Sequence, residues 1–402
     1  MIPQEPEDLT ADWLDSALHE TGVLAEAHVT DVAVEPFGDG QGLASRLLRL
    51  RLTYDRNGPG SPATLIVKLP SGLETNRVTA EMVGAYEREI RFYRELAQRV
   101  EIRTPRHYYS AMDSKRLEGS PERLDKLLGW IPTPALGLLP LFSRWLAARS
   151  THRYVLLMED LAPARAGNQL AGCTAEDATR ALQSLAATHA SLWQSPDLDA
   201  IPWLRHSDVA ARVRHAVFRR NRRRFLREYQ TFPQAPEEPP LDSLLAAVDW
   251  LDAHGLAMQR RLAAPPRTLV HGDYRLDNLF FGSDGDAAPV AAVDWAMVHL
   301  GRGIYDVAYF VGCSLEPELA REIEEDLVRH YHETLLECGV KDYAHRECWR
   351  DYQLSKLLFV QAIVLSIEAL EVSEEQLAEL GASFVRRLAA LLPEEGLDDL
   401  LS

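Results

Sequence analysis

"HGDYRLDN" (residues 271–278) sets a histidine, two aspartates and an asparagine within eight residues. Leu269 and Val270 precede it, and Leu279, Phe280 and Phe281 follow. A surface turn has no need of that apolar frame, whereas a short loop held between two buried strands does. A second apolar run, "VAAVDWAMVHLGRG" (290–303), carries Asp294, sixteen residues after Asn278. Between the two, "GSDGDAAP" (282–289) reads as a hairpin turn. Two strands so joined bring Asp273, Asn278 and Asp294 near one another. Aspartate and asparagine oxygens are hard ligands that suit Mg²⁺, an ion that bridges to substrate phosphates. A further carboxylate beside them can orient a hydroxyl and take its proton. Phosphoryl transfer from a nucleotide requires that set.

The rest of the chain bounds this reading. It has 402 residues, 46% of them hydrophobic and 26% charged, an ordinary globular composition with room for a large core. The formal net charge of −17 argues against a nucleic-acid partner, which calls for a basic surface. Four cysteines, Cys173, Cys313, Cys338 and Cys348, form no C-x-x-C motif, although His345 lies between the last two. They read as reduced thiols of a cytoplasmic protein. The N-terminus, "MIPQEPEDLTADWLDSALHE", is acidic and lacks the apolar segment of a signal peptide.

The pattern along the chain predicts an α+β protein. Strands are expected at 29–37, 43–54, 63–70, 106–113 and 153–161, with one long helix at 79–100. Helices then follow at 174–193, 206–229, 241–263, 316–337, 346–370 and 374–392. Thr174 and Asp177 have the spacing of a capping box. The expected division is a β-rich N-lobe, 1–158, and a helical C-lobe, 159–402. Two stretches stand out. Residues 114–152 hold "LLGWIPTPALGLLPLFSRWLAA", too interrupted by proline for a transmembrane helix and read as a helical insertion. The stretch "RVRHAVFRRNRRRFLREYQ" (212–230) carries eight arginines, either a solvated face or a dock for an anionic substrate.

The Asp-x-x-x-x-Asn spacing is that of a protein-kinase catalytic loop. With His-Gly-Asp in front and "VDW" (293–295) behind, the segment resembles the aminoglycoside phosphotransferase and choline kinase-like enzymes. "EREIRFYREL" and "LLMEDL" look as much like their ecdysteroid-kinase-like and acyl-CoA-dehydrogenase-associated branches. The resemblance covers about residues 30–390 and implies a two-lobed protein-kinase-like fold with ATP and Mg²⁺ as cofactors. It implies Asp273 as the base, and Asn278 and Asp294 as metal ligands. Lys68 in "LIVKLP" would contact nucleotide phosphates, paired with Glu89, or with Glu87 as runner-up. Gly38, Gly40 and Gly42 in "FGDGQGLAS" (37–45) would let the backbone approach phosphates, with Ser45 adding a hydroxyl. Their spacing departs from the protein-kinase G-x-G-x-x-G. "LLMEDL" (156–161) resembles the hinge, where backbone groups of Glu159, Asp160 and Leu161 would read adenine. His271 and Asp306 are expected to brace the loop, and Asp277 to form a turn or face solvent.

The implied function is an ATP- and Mg²⁺-dependent kinase acting on the hydroxyl of a small-molecule alcohol. Two other readings stay open: a protein kinase, against which no Asp-Phe-Gly or Ala-Pro-Glu segment follows Asn278, and an inactive nucleotide-binding or scaffold module. The acceptor is also open. The acidic surface suits a cation, the arginine helix an anion such as a hydroxyacyl-CoA, and the apolar insertion a sterol-like alcohol. Nothing in the sequence specifies ATP over GTP, or an oligomeric state.

Overall fold

A computed structural model of the chain describes residues 1–37, 45–56, 58, 60–113, 131, 133–138, 145, 152–229, 241–282, 289–366, 382–393 and 396–401. It divides into two compact units. The first comprises Met1–Gln98, Thr104–Leu117 and Ser143–Pro163; the second comprises Arg99–Arg103, Glu118–Phe142 and Ala164–Ser402.

The first unit is built on five antiparallel strands, β1 (Val29–Pro36), β2 (Ser45–Tyr54), β3 (Thr64–Pro70), β4 (His107–Met112) and β5 (Tyr154–Glu159), in the order β1-β2-β3-β5-β4. Side chains alternate across β3. Leu65, Val67 and Leu69 join one core with Leu48, Leu50, Val155 and Leu157. Helix α1 (Ala11–Glu20) adds Leu14 and Leu18 to that core. This helix was not among the expected elements, although its start is written in the sequence. The Thr10 hydroxyl accepts from the Trp13 amide at 3.3 Å, an N-cap. Asp15 then ties α1 to the sheet by accepting from the Val29 amide at 2.8 Å.

The expected single helix at 79–100 is instead two, α2 (Glu74–Val83) and α3 (Ala85–Glu95). Gly84 between them sits at φ 70°, ψ 27°, and its amide bonds to the Ala80 and Glu81 carbonyls. A left-handed glycine closes one helix and redirects the next. The turn aims α3 so that Glu89 meets Lys68 on the other face of β3.

The second unit is mostly helical: α4 (Ala175–Ser191), α5 (Ala211–Tyr229), α6 (Leu241–Ala263), α7 (Ile304–Ser314), α8 (Pro317–Glu337), α9 (His345–Ser366) and α10 (Ala382–Ala389). Phe218, Val248, Leu251, Leu354, Leu357, Val360 and Leu388 form its main core. Short strands carry the quoted loop. β6 (Arg165–Ala166), β8 (Leu279–Phe281) and β9 (Val290–Ala292) make one sheet; β7 (Thr268–Val270) pairs with β10 (His299–Gly301) in another. Thr174 does cap α4, accepting from the Asp177 amide at 3.1 Å. The capping box fails, because the Asp177 carboxylate pairs with Arg165 at 2.8 Å. Helix α5 starts at Ala211, not 206, since Ala210 holds φ 60°. Helix α7 was not anticipated.

Most of 114–152, and the start of the helix expected at 374–392, lie outside the described residues. The described part of the first packs on α5. Arg212 donates to the Ile131 carbonyl at 3.2 Å and Arg220 to that of Gly137 at 2.6 Å. Arg219 and Arg222 pair with Asp252 at 2.8 and 2.6 Å. Arg214 donates to the Gln259 side chain at 3.0 Å, so at least five of the eight arginines bond within their own unit. Among the described residues no helix is long and apolar enough to cross a membrane. The four cysteines are free thiols.

Candidate active site

In the first unit, Lys68 and Glu89 are both buried, and the ammonium lies 2.9 and 2.7 Å from the two carboxylate oxygens. Two opposite charges taken out of water stabilise one another as a pair. The runner-up, Glu87, instead pairs with Arg91 one turn along at 3.1 Å. Ser45 is buried at the start of β2, opposite Pro70, while Lys68 stands opposite Leu47 and Leu156. Gly38, Gly40 and Gly42 lie outside the described residues. At the end of β5, Glu159 exchanges bonds with Arg106: its amide donates to the Arg106 carbonyl at 2.9 Å, and its carboxylate accepts from the Arg106 amide at 3.0 Å. The Asp160 side chain is taken by Arg49, at 2.7 Å. Leu161 is buried.

In the second unit, the loop grows from the end of β7. Gly272 holds φ 84°, and a Cβ there would lie 2.5 Å from the Met297 carbonyl oxygen. The loop therefore needs glycine at this point. Asp306, fully buried on α7, accepts from the His271 and Gly272 amides at 2.7 and 2.9 Å, with His189 at 3.4 Å. Burial pushes the Asp306 carboxyl up, but His189, His271 and the Gly272 bond outweigh it and hold the group below the ordinary value. His271 is buried too. Its Nδ1 accepts from the Asp273 amide at 3.2 Å, which leaves Nε2 to donate to the Val293 carbonyl at 3.0 Å. The tautomer thus follows from the partners, and His271 links the loop to the chain just before Asp294.

Asp273 and Asn278 are joined directly. The Asn278 amide nitrogen donates to the Asp273 carboxylate at 3.0 Å and to its carbonyl at 2.9 Å. Asp294 stands at the same end of the β8–β9 hairpin as Asn278: Leu279 is opposite Ala292, and the Val293 amide donates to the Asn278 carbonyl at 2.9 Å. Asp294 itself adopts φ 61°, ψ 61°. A non-glycine residue held there stores backbone strain, a feature that gathers at functional sites.

Some residues of this site were not singled out beforehand. Arg275, inside the quoted loop, lies 3.3 Å from Asp273 and 2.6 Å from Asp277. Burial opposes its charge, yet Asp273 and Asp277 raise its pKa above the ordinary value. Asp277 is also bound by the Gln169 amide at 2.9 Å, so it fastens the loop and does not simply face solvent. Gln169 lies 108 residues earlier in the chain, where no local pattern signals it.

The chain matches the model of the Ecdysteroid kinase-like family over residues 39–341, about three quarters of its length. It belongs to that family. Its members are small-molecule phosphotransferases, and the protein-kinase-like organisation is met here as a five-stranded antiparallel sheet followed by a mostly helical part. A curated relative, Acyl-CoA dehydrogenase family member 10 of Mus musculus, is 38% identical over 86 residues, which are 21% of this chain and 7% of that protein. The match thus spans only a small part of the relative. Two solved structures are similar along nearly the whole chain. The GDP complex of aminoglycoside 2′-phosphotransferase-IIIa is 13% identical, covers 94% of this chain and 98% of its own, and has a TM-score of 0.47. An ethanolamine kinase of Plasmodium vivax is 12% identical, covers 93% of this chain and 85% of its own, and has a TM-score of 0.48.

Proposed function

We propose that this ecdysteroid kinase-like protein transfers the γ-phosphate of ATP to a hydroxyl of a small-molecule alcohol, with Mg²⁺ as cofactor. The observation that carries the reading is the pair of hydrogen bonds that the Asn278 amide nitrogen donates to the Asp273 carbonyl and carboxylate. With the nitrogen committed, the amide oxygen is the atom Asn278 has to offer. Together with the Asp294 carboxylate this makes an oxygen donor set, the kind that suits Mg²⁺ and not a thiophilic metal. Asn278 and Asp294 would hold the ion, which when bound neutralises charge on the phosphates.

The chain's own residues supply the rest. Asp273 is partly accessible, with a side chain 23% exposed, and it is ionically tethered by Arg275. It is suited to orient the acceptor hydroxyl and take its proton onto a carboxylate oxygen as the acceptor O–P bond forms and the bond from the γ-phosphorus to the departing ADP breaks. Lys68, fixed by Glu89, would contact the nucleotide phosphates with a charge already desolvated and aimed. Backbone groups of Glu159 to Leu161 would read the base, and Gly38, Gly40, Gly42 and Ser45 would approach the phosphates. No covalent enzyme intermediate is needed, because positioning and charge stabilisation carry this chemistry. ATP as donor and four free thiols fit a cytoplasmic setting.

The test is Mg²⁺-dependent ADP production from ATP across amino alcohols, aminoglycosides, hydroxyacyl-CoA thioesters and sterols. Acceptor-stimulated turnover is expected from one class. Asp294→Ala is expected to weaken Mg²⁺-nucleotide binding in a calorimetric titration, and an unchanged Mg²⁺ dependence in that variant would move the metal elsewhere. Failure of ATP and GTP to bind in the presence of Mg²⁺ would overturn the reading in favour of a scaffold.

A further inference from the structure

Behind the loop lies a buried polar cluster that the chemistry above does not use. Arg387, on α10, is fully buried. It donates to the carbonyls of Gln169 at 2.6 Å, Cys313 at 2.7 Å and Leu170 at 2.9 Å, and it pairs with Glu316. Gln169, also buried, bonds to the loop with two groups and to α7 with a third. Its amide donates to Asp277, its side-chain oxygen accepts from the Leu276 amide at 3.0 Å, and its side-chain nitrogen donates to the Cys313 carbonyl. Two residues earlier the Gly167 amide donates to the Leu279 carbonyl at 2.8 Å. A Cβ at Gly167 would lie 2.2 Å from the Leu276 carbonyl oxygen. The segment 165–170 therefore presses against 276–279 with no space between them.

A buried guanidinium is expensive, and apolar packing would hold α10 in place at lower cost. What the arginine does that a leucine cannot is fix three carbonyls at once, among them that of Gln169. From Gln169 the bonds continue through Asp277 and Arg275 to the Asp273 carboxylate. We infer that Gln169 and Arg387 are positioning residues for the phosphotransferase reaction: together they hold the Leu276–Asn278 backbone, and through Arg275 they set the direction of the Asp273 carboxylate. The inference rests on the functional reading above for its consequence, but not for its geometry.

The test therefore has two arms on the full-length chain. The first is amide hydrogen exchange in Gln169→Leu, Arg387→Met and Val248→Ala, the last an apolar truncation in the core cluster that also holds Cys313 and Leu388, which removes no hydrogen bond. Exchange at residues 275–279 is expected to rise by roughly tenfold or more in Gln169→Leu, and to stay near wild type in Val248→Ala when compared at equal distance below Tm. The second arm is acceptor-stimulated ADP production. Gln169→Leu is expected to lose roughly 10²-fold in kcat, the scale of a misplaced reacting group, with KM for ATP within about twofold of wild type. Combining it with Arg387→Met is expected to add little, since the two act as one unit. If Arg387→Met does not fold, Gln169→Leu decides alone. Unchanged exchange at 275–279, or an equal rise in Val248→Ala, would overturn the inference. An inactive wild-type enzyme would instead overturn the functional reading, with the exchange result still standing.

Discussion

Two regions would supply the groups for the proposed phosphoryl transfer, and they are built by different means. Lys68 and Glu89 form one ion pair between residues 21 apart, on a strand and the helix that covers it. The Asp273 loop depends on many small bonds from distant places: Asp306 is 35 residues from His271, and Gln169 is 108 from Asp277. A charge meant to meet a polyanion can be fixed by one strong partner. A base meant to meet a particular hydroxyl must be fixed in direction as well, which takes several weaker bonds of set geometry. The first region is expected to respond most to loss of Lys68 or Glu89; the second is expected to respond to any displacement of its backbone.

That contrast can be broken by substitution. The largest stability effect is expected for Lys68→Met, which takes the ammonium away from the buried Glu89 carboxylate and costs about 3–5 kcal/mol. Adding Glu89→Leu is expected to restore most of that stability in urea titrations and none of the nucleotide affinity. If the double variant is no more stable than the single one, Lys68 and Glu89 do not stabilise one another as a pair. A smaller loss is expected for Gly272→Ala, which must adopt positive φ beside the Met297 carbonyl, at about 1–3 kcal/mol. Its turnover should fall far more than its stability predicts, whereas proportionate losses would show that the loop tolerates displacement. The smallest effect concerns pH. Burial, and then Arg94, push His107 on β4 down from 6.5 to about 4. Between those values the unfolded chain takes up a proton that the folded chain refuses, so stability falls as pH drops through the window. Tm measured from pH 7 to 4 should decline less steeply in His107→Gln than in wild type, and equal slopes would remove His107 as the cause.

The same contrast governs what could be read in advance. The five strands were legible from apolar alternation and apolar runs, whereas Glu89 was legible only through the family resemblance, from its place before "IRFYREL". The break at Gly84 was missed because the apolar spacing runs through it, although a glycine there is the one signal of a left-handed cap. Helix α1 was missed although Thr10 announces it, since "ADWLDSALHE" is short and weakly apolar. Asp273 and Asn278 stand in the loop before β8 and Asp294 just after β9, so one short stretch of sequence holds all three. Gln169 and Arg387 could not be read: a glutamine and an arginine acquire their roles only when remote segments pack, and neither sits in a pattern of its own.

The central claim is tested most directly by Asp273→Asn, with Mg²⁺-ATP affinity measured by calorimetry and phosphate transfer to the identified acceptor followed in single turnover. The account predicts binding within about twofold of wild type, the bonds of the loop being largely kept, and a transfer rate lower by roughly 10³-fold, within the range of a lost general base. Transfer at the wild-type rate with nucleotide bound would contradict it.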